Sequence, residues 1–525
     1  MAHLKDARGS PPAAGELPGA PGPREIASAL EVLTAVAADR GLLASLEADA
    51  RVRLQKVAGA LARPGPEQRR RLRRALSRGE RRAQKARDGA LRRGTGIRAA
   101  RPSPALPAPP PPAVAAGSAA AAEEGGGPEL GVPRKCYVCK VPYRRVHHFY
   151  DQLCPRCGDE NHARRAATAD LRGRVALVTG ARVKIGYQAA LLLLRCGCRL
   201  VCLTRFPRDA AARYAREPDF ADWRERLSIY GIDLRHTPSV ERLCRHLSAT
   251  LPRLDFQVHN ACQTVRRPPG FYGHLLEGEL SPPERRPAAE RALCSGYEAL
   301  RARLAAGTAA GVERPALLTQ AASEADLLLP GADALELFPR GVLDLDLQQV
   351  DLRDHNSWRL RLQEVPTIEL LEVLLVNAAA PFVMAARLQE LMLRERRAPP
   401  GTATSGDPAK HVVMVSAMEG QFYREHKTDR HPHTNMAKAA LNMAVRTSAP
   451  DLLRDGIHLN AVDTGWVTDE DPAHLAARKA EEHAFAPPLD VLDGAARVVA
   501  PILEGFSTGR HATGLFFKDY RPAPW

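Results

Sequence analysis

Two patterns of apolar and polar residues divide this chain. In residues 24–62, apolar side chains such as Ile26 and Leu30 recur every three or four residues, which predicts amphipathic helix with a break near Gly41. From Arg174 onward, short apolar runs rich in β-branched residues alternate with helical stretches. We therefore expect a helical N-terminal region followed by an α/β region.

Seven of the apolar runs have the length and composition of buried parallel strands. These runs are RVALVTG, CRLVCLT, LSIYGIDL, DFQVHNA, KHVVMVSA, GIHLNAVDTG and HATGLFFKDY. Helical segments such as VERLCRHLSATL lie between them, so the pattern predicts an α/β fold with a Rossmann-like, doubly wound parallel sheet over residues 171–525. About a hundred residues, 265–363, stand where one short connection would do, and we interpret them as an insertion.

Length and charge indicate further units ahead of this region. A chain of 525 residues exceeds the ~250 to 300 residues of a single core. The formal net charge of +15 arises mostly in residues 67–101, which hold fourteen Lys and Arg against three acidic residues. We interpret residues 1–100 as a helical and basic arm and residues 101–131 as a flexible Pro/Ala/Gly linker.

The basic arm indicates which classes of partner to expect. Arg-rich stretches attract phosphate, so nucleic acid or a protein is an expected partner, although solvated helix faces and import signals share this composition. No apolar run reaches the ~20 residues of a membrane span, and the first residues lack the order of a signal peptide. We therefore expect no membrane partner and a cytoplasmic protein, with the nucleus as the alternative because of the basic run.

Four cysteines form two C-x2-C pairs with fourteen residues between them, in the segment CYVCKVPYRRVHHFYDQLCPRC. Two such turns complete a tetrahedral shell, which predicts a structural Zn²⁺ in a small module at 132–165, separate from the strands. The alternative ligands are His147, His148 and His162. The predicted ligands are Cys136, Cys139, Cys154 and Cys157.

The segment VALVTGARVKIGYQAALLLL runs from a strand through a glycine-bearing turn into a helix, an arrangement that holds a pyrophosphate at a helix N-terminus. Through Thr179, Gly180, Ile185 and Gly186 it resembles the TGxxxGxG pattern of the short-chain dehydrogenase/reductase family. Lys184 replaces the middle glycine, where it either crowds the cofactor or adds a cation beside the pyrophosphate. The resemblance also includes NAVDTGWVTDE, which is similar to NxxxPGxVxT.

The resemblance implies a nicotinamide cofactor. Family members that select NAD(H) carry an acidic residue where this chain has Arg205. Because Arg182 and Arg205 are suited to hold a ribose 2′-phosphate, we expect NADP(H), with NAD(H) as the alternative. Asp233 resembles the residue that meets adenine, and Asn260 matches the asparagine that steadies the central sheet.

In this family a tyrosine transfers the proton, a lysine four residues later lowers the tyrosine pKa and holds the ribose, a serine positions the substrate and a helix asparagine anchors a water. Asn377 matches the asparagine and Lys438 the lysine. Thr434 stands at the place of the tyrosine, Ala417 at that of the serine, and Ser416 precedes it. A threonine hydroxyl does not ionise near the ~10 of tyrosine, so Thr434 is a poor direct substitute.

Three neighbouring residues are alternative proton donors. His433 titrates close to neutrality, Ser416 could act through a shifted register, and Tyr423 follows the fifth strand. Tyr423 also forms a YxxxK with Lys427, which we interpret as a decoy because only seven residues separate Tyr423 from Ser416 and the family has a dozen or so.

The leading hypothesis is a divergent NADP(H)-dependent short-chain oxidoreductase that acts on a small-molecule carbonyl or alcohol with a nonstandard proton donor. The alternative is a catalytically inactive nucleotide-binding scaffold or regulator that engages protein or nucleic acid through the zinc module and the basic arm. Both hypotheses require nucleotide binding, so only turnover separates them. A homo-oligomer is compatible with either.

Overall fold

The structure is a computed structural model, and it describes residues 21–100, 128–306, 337–339, 341–344, 348–394, 408–423, 427–483 and 485–525. Residues 101–127 of the predicted linker lie outside the described residues, and the first strand begins at Glu129, within the range predicted as linker.

In the part of the chain that the structure describes, ten strands form two sheets. The small sheet pairs β1 with β2, and the large sheet has the order β10-β9-β8-β7-β6-β3-β4-β5. The large sheet is parallel except for its edge strand β10, which runs antiparallel to β9. The strands are β1 (Glu129–Lys135), β2 (Pro142–Arg145), β3 (Val175–Thr179), β4 (Arg199–Thr204), β5 (Leu227–Gly231), β6 (Phe256–His259), β7 (Lys410–Ser416), β8 (Ile457–Asp463), β9 (Phe516–Lys518) and β10 (Arg521–Ala523).

The α-helices are α1 (Pro23–Ala38), α2 (Ala48–Ala62), α3 (Pro66–Arg93), α4 (Gly96–Ala100), α5 (Pro155–Arg164), α6 (Lys184–Arg195), α7 (Pro207–Tyr214), α8 (Phe220–Trp223), α9 (Thr237–Thr250), α10 (Gly273–Leu280), α11 (Ala288–Leu293), α12 (Ser295–Ala306), α13 (Thr367–Leu374), α14 (Ala380–Arg387), α15 (Gln389–Leu393), α16 (Pro432–Arg454), α17 (Ala473–His483) and α18 (Val491–Thr508).

The large sheet is buried on both faces, as its continuous apolar strands predict. Along β3, Ala176 and Val178 pack with α6 and α18 on one face, while Val175 and Leu177 pack with α9, α14 and α16 on the other. This alternation is the two-residue period of a strand. The predicted Rossmann-like α/β fold is thereby confirmed, and each of the seven predicted runs contains one strand from β3 to β9.

The N-terminal unit comprises residues up to Gln84. Helices α1 and α2 lie wholly within the described residues, and none of their side chains is buried. A 3₁₀ turn, Arg40–Ser45, separates them at the predicted break near Gly41. The long helix α3 that follows also has no buried residue.

The cysteine module consists of the β1–β2 hairpin and α5, and it packs directly on the α/β domain. One apolar cluster contains Cys136, Tyr150 and Cys157 of the module together with Val467 and Val491 of the domain. The C-terminal end of α3 contributes as well, because the buried carboxylate of Asp151 lies 2.9 Å from Arg92. The module thus shares an apolar cluster with the loop before α17 and the start of α18.

The predicted insertion lies between β6 and α13 and brings α10 to α12. Its described part forms a small apolar cluster in which Phe271, Tyr272 and Phe338 surround Phe206, the residue that precedes α7. The insertion therefore packs beside the carboxyl end of β4.

One segment of the described chain, Thr367–Leu393, is long and apolar enough to cross a membrane by length and composition, with a mean hydropathy of 1.8. It corresponds to α13, α14 and α15 with the turn between α13 and α14. Val373, Met384 and Leu391 on this segment are fully buried, and Met384 and Leu391 pack against the sheet. The apolar composition therefore serves a layer of the α/β domain.

Candidate active site

A cleft of 1280 Å³ opens at the carboxyl ends of the strands. The chain proceeds outward from β3 to β4 and β5 on one side, and outward from β6 to β7, β8 and β9 on the other. Doubly wound sheets bind their ligands where the two directions diverge. The volume exceeds the ~300 to 1,000 Å³ of ordinary small-molecule pockets, so the cleft has room for a dinucleotide and a substrate together.

The turn after β3 is so tight that two of its residues have to be glycine. At Gly180, where φ is +68°, a Cβ would lie 2.9 Å from the Cα of Ala261. A Cβ at Gly186 would lie 2.3 Å from the carbonyl oxygen of Gly180. Asn260 donates to the carbonyl oxygens of Thr179 and Gly180 at 3.3 and 3.4 Å and ties the turn to β6. The first N–H groups of α6, which bind phosphate in such turns, thereby face the cleft.

Lys184 begins α6 with a left-handed backbone, at φ +55°. Burial raises the pKa of the Glu470 carboxyl, but the charges of Lys184 and Arg267 and a hydrogen bond from Thr468 bring it below its ordinary value overall. The charge of Lys184 therefore stabilises the ionised form of Glu470 on the cleft wall. The adjacent Ile185 packs against the core.

Two arginines lie beside the end of β4 in different environments. Arg182 is buried, with Nη1 2.8 Å from Oδ2 of Asp209. Arg205 donates to the Tyr272 hydroxyl at 2.5 Å, and its guanidinium lies 4.6 Å from the centre of that ring. Arg182 is thus ion-paired, whereas Arg205 is held by a neutral phenol and is the better candidate for a phosphate.

Asp233 lies on the cleft wall after β5, and its buried carboxylate accepts hydrogen bonds from Arg235. The Nε and Nη2 donors of Arg235 are 3.0 and 2.6 Å away. Burial raises the pKa of Asp233, but the hydrogen bonds and charge of Arg235, with the charge of Arg205, lower it overall. The Asp233 carboxylate therefore stays ionised beside Arg235 and Arg205.

Helix α13 widens into a π-helical turn, Leu375–Ala379, around Asn377. The buried Asn377 side chain accepts from the Gln263 N–H at 2.7 Å and donates to the Gln263 carbonyl oxygen at 3.2 Å. The neighbouring Val376 lies on the cleft wall. Because π-helical turns occur frequently at functional sites, this turn marks the segment that faces a ligand.

Lys438 lies on α16 with its buried ammonium in the cleft wall, where it donates to the Val415 carbonyl oxygen at 2.7 Å. Ser416, the last residue of β7, donates to Oδ1 of Asn442 at 2.5 Å. Ser416 therefore connects β7 to α16. Ala417, which also lies on the wall, presents only a methyl group.

Residues 174–271 match the short chain dehydrogenase family. The matched segment contains β3 to β6, the glycine turn and Asn260, which are the residues that form the cofactor side of the cleft. Over this segment, the chain is similar to the short-chain dehydrogenase/reductase family.

Three proteins are similar to parts of this chain. Uncharacterized protein R665 of Acanthamoeba polyphaga mimivirus is 29% identical over 385 residues, which is 70% of this chain and 71% of that protein. The WW domain-containing oxidoreductase of Drosophila melanogaster is 36% identical over 18% of this chain and 23% of its own length. Dehydrogenase/reductase SDR family member 13 of Bos taurus is 37% identical over 19% and 27%. The chain thus spans about a quarter of the length of the Drosophila melanogaster and Bos taurus proteins.

Among solved structures, the NADP active-site complex of Pseudomonas aeruginosa RhlG is 17% identical, with 66% of this chain and 95% of that chain covered at a TM-score of 0.38. A putative short chain dehydrogenase from Escherichia coli CFT073, complexed with NADPH, is 15% identical, with 67% and 99% covered at a TM-score of 0.39.

Thr434, which the sequence resemblance puts at the tyrosine position, lies on the cleft wall. Its hydroxyl is buried and has no hydrogen-bond partner among the described residues. A buried polar group without a partner costs about 1 to 3 kcal/mol, so a bound ligand that completes this hydrogen bond would gain from it.

Two of the predicted proton donors lie elsewhere. Tyr423 is 95% exposed, and the described residues of the cleft wall do not include it. The His433 ring is buried with Nε2 3.3 Å from a Glu369 carboxylate oxygen on α13. The cleft wall therefore contains Thr434 and Ser416, but neither of these two rings.

The imidazole among the described residues of the cleft wall is that of His431, which the sequence interpretation missed. His431 precedes α16 with a left-handed backbone, at φ +42°, and its ring stacks on Trp358 with a centroid distance of 3.9 Å and an angle of 6°. Its Nδ1 lies 3.1 Å from Oδ1 of Asn435. In the sequence, the pair HP indicates this position, because proline is favoured as the first residue of a helix. The residue that stacks on His431 is Trp358, which belongs to the insertion and is distant in sequence.

The four cysteine sulfurs lie within 4.8 Å of one another, and Sγ of Cys139 is 3.8 Å from Sγ of Cys154. A tetrahedral Zn²⁺ with Zn–S bonds of about 2.3 Å places its sulfurs about 3.8 Å apart, which this geometry fits. His147 is engaged otherwise: Nδ1 accepts from the Phe149 N–H at 3.0 Å, and Nε2 lies 3.1 Å from Asp159.

The cysteine module also reaches the cleft. Tyr137 and Lys140, which lie between and just after the first two cysteines, are part of the cleft wall. The Tyr137 hydroxyl accepts from the Trp466 N–H at 2.8 Å, and Lys140 has a left-handed backbone at φ +62°. The module is therefore a component of the site.

Proposed function

We propose that this chain is an NADP(H)-dependent oxidoreductase that interconverts a small carbonyl compound and its alcohol, with His431 as the proton donor and acceptor. The observation that carries the proposal is the placement of the His431 ring, which lies in the cleft one helical turn before the vacated tyrosine position. His431, the residue before α16, and Thr434, in the first turn of that helix, both lie on the cleft wall.

The glycine turn after β3 supports the binding of this cofactor in the cleft. The hypothetical Cβ clashes at Gly180 and Gly186 indicate a turn that packs closely against the chain after β6, which supports the tight turn of a pyrophosphate-binding site. Lys184 would add positive charge there, and Arg205 would hold the 2′-phosphate. When bound, NADP(H) supplies or accepts the hydride.

Side chains of the protein would carry out the proton transfer. Because Nδ1–H of His431 donates to Asn435, Nε2 is the ring atom that exchanges a proton with the substrate oxygen. Burial lowers the pKa of His431, and the charge of Glu419 opposes this effect. The neutral ring would accept the proton of an alcohol, and the protonated ring would donate it to a carbonyl oxygen.

Thr434 and Lys438 would then take the remaining tasks. The unpartnered Thr434 hydroxyl is available to orient the substrate oxygen, as the missing serine does in the family. Lys438, one turn further along α16, would hold the ribose. This division of tasks separates proton transfer from nucleotide binding.

His431→Asn tests the proposal, because asparagine tolerates the left-handed backbone but cannot titrate. NADPH oxidation with a panel of aldehydes and ketones should fall by at least about a hundredfold. The affinity for NADPH, measured by fluorescence titration, should stay within about twofold because His431 is not assigned to the nucleotide. Thr434→Tyr, which places a phenol beside Lys438, should restore part of the turnover in the His431→Asn background.

The other hypotheses give different outcomes. Loss of turnover in Tyr423→Phe or His433→Asn, with His431→Asn active, would assign the proton to those residues and overturn the proposal. If the wild-type chain binds NADPH but turns over no member of the panel, the chain is a nucleotide-binding scaffold, and protein or nucleic-acid partners of the basic arm become its function.

We further propose that Cys136, Cys139, Cys154 and Cys157 bind one structural Zn²⁺. The sulfur separation of 3.8 Å supports a closed tetrahedral shell. Elemental analysis of the purified chain should give one zinc per chain, and Cys154→Ser should lower the content while the helical circular dichroism is retained. A wild-type chain without zinc would refute this assignment.

A further inference from the structure

The loop Asp463–Pro472, which connects β8 to α17, supplies a continuous part of the cleft wall. Its start is fixed within the domain, because the buried Asp463 carboxylate accepts from the N–H groups of Met418 and Gly465, both at 2.7 Å. Beyond Gly465 the loop depends on other contacts.

The next contacts come from the cysteine module. The Trp466 N–H donates to the Tyr137 hydroxyl at 2.8 Å, and Val467 packs in the same apolar cluster as Cys136 and Cys157. Tyr137 directly follows Cys136, so the position of its ring is set by the metal-binding turn.

A second set of contacts fixes the module against the segment that follows α17. Gln152 donates to the Ala486 carbonyl oxygen at 2.7 Å and accepts from the Tyr137 N–H at 2.8 Å. Arg165 lies 2.8 Å from carboxylate oxygens of both Asp490 and Asp493 at the start of α18. The module thus holds both ends of the stretch that contains the loop and α17.

We propose that Tyr137 is a positioning residue through which the metal-loaded cysteine module holds the loop Asp463–Pro472 in its ligand-binding conformation, so that nucleotide affinity depends on metal occupancy. This inference rests on the proposed nucleotide binding. A four-thiolate shell closes two turns of the chain onto one ion, and without the ion these turns are free to separate. The Trp466 N–H would then lose its partner, and the loop would lose the support of the module while it keeps its contacts from the domain, such as those of Asn356 with Glu470 and Lys479 with Asp471.

Tyr137→Phe in the full chain is the sharpest test, because it removes one acceptor atom and leaves the ring and all four cysteines. The zinc content should stay at one per chain. Hydrogen exchange in peptides that cover 463–472 should become faster, and the Kd for NADPH should rise about fivefold. Tyr143→Phe is the matched control, because that phenol donates to the Asp151 carbonyl oxygen inside the module and should change neither quantity.

Metal removal is the second test. Treatment of the full chain with a zinc chelator should speed exchange in 463–472 and weaken NADPH binding by more than Tyr137→Phe does, and added zinc should reverse both changes. Unchanged exchange in this loop, in the variant and in the chelated chain, would overturn the inference. A wild-type chain that binds no NADPH would instead overturn the proposed function, while the exchange data would still decide whether the loop depends on the metal.

Discussion

At the scale of single residues, the surroundings of a side chain decide its chemistry more than its type does. Arg182 and Arg205 lie beside the same strand end, yet one is paired with Asp209 and the other is held by the phenol of Tyr272. A phosphate that binds Arg182 has to compete with a carboxylate. At Arg205 the phosphate would replace the hydrogen bond to a neutral phenol.

We therefore expect Arg205→Asp to weaken NADPH binding about a hundredfold more than NADH binding, because a charged hydrogen bond of about 1.5 to 3 kcal/mol is lost and a repulsion is added. The measurement is the ratio of the two Kd values by fluorescence titration. Arg182→Gln should change this ratio much less. Equal losses for both nucleotides in Arg205→Asp would show that Arg205 does not contact the 2′-phosphate.

Residues that carry their own local pattern could be predicted from sequence. Gly180, Gly186 and Lys438 stand in short motifs, and the structure places all three at the cleft. His431 could not be predicted in the same way, because its position depends on Trp358, a residue brought over from the insertion. Residues that only folding brings together have no characteristic spacing in the sequence by which they could be recognised.

At the scale of elements, buried strands were the most predictable part of the chain. Each of the runs from β3 to β9 has the continuous apolar composition that burial on both faces requires. The edge strand β10 was not predicted, because Arg521–Ala523 is short, polar and contains proline. The π-helical turn at Leu375–Ala379 was also not predicted, since it depends on the bonds of Asn377 to Gln263 rather than on helix propensity.

At the scale of the whole molecule, buried histidines couple folding to pH. The ring of His259 in β6 is buried, and burial lowers its pKa to about 3. Burial, with the charges of His458, His511 and Arg174, also lowers the pKa of His411 well below its ordinary value. The unfolded chain binds these protons near pH 6.5, so stability is present above that pH and is lost as the pH falls toward the folded-state values.

We accordingly expect the free energy of unfolding to decrease between pH 8 and pH 5, with His259 alone contributing about 2 kcal/mol of the loss. Urea denaturation at several pH values measures this change. His259→Gln should remove that contribution from the pH dependence, whatever its effect at pH 8. An identical slope in the variant and the wild type would contradict the assignment of His259.

The left-handed backbone of the cleft residues also bears on how this protein would respond to selection for heat resistance. Of the five described non-glycine residues with positive φ, Lys140, Lys184 and His431 lie on the cleft wall. Each costs about 1 to 2 kcal/mol relative to a relaxed backbone, which is a substantial part of the ~5 to 15 kcal/mol that stabilises a domain. A laboratory screen for thermal tolerance alone would therefore favour glycine at these three positions. It would enrich robust chains that have lost the cations and the imidazole of the cleft.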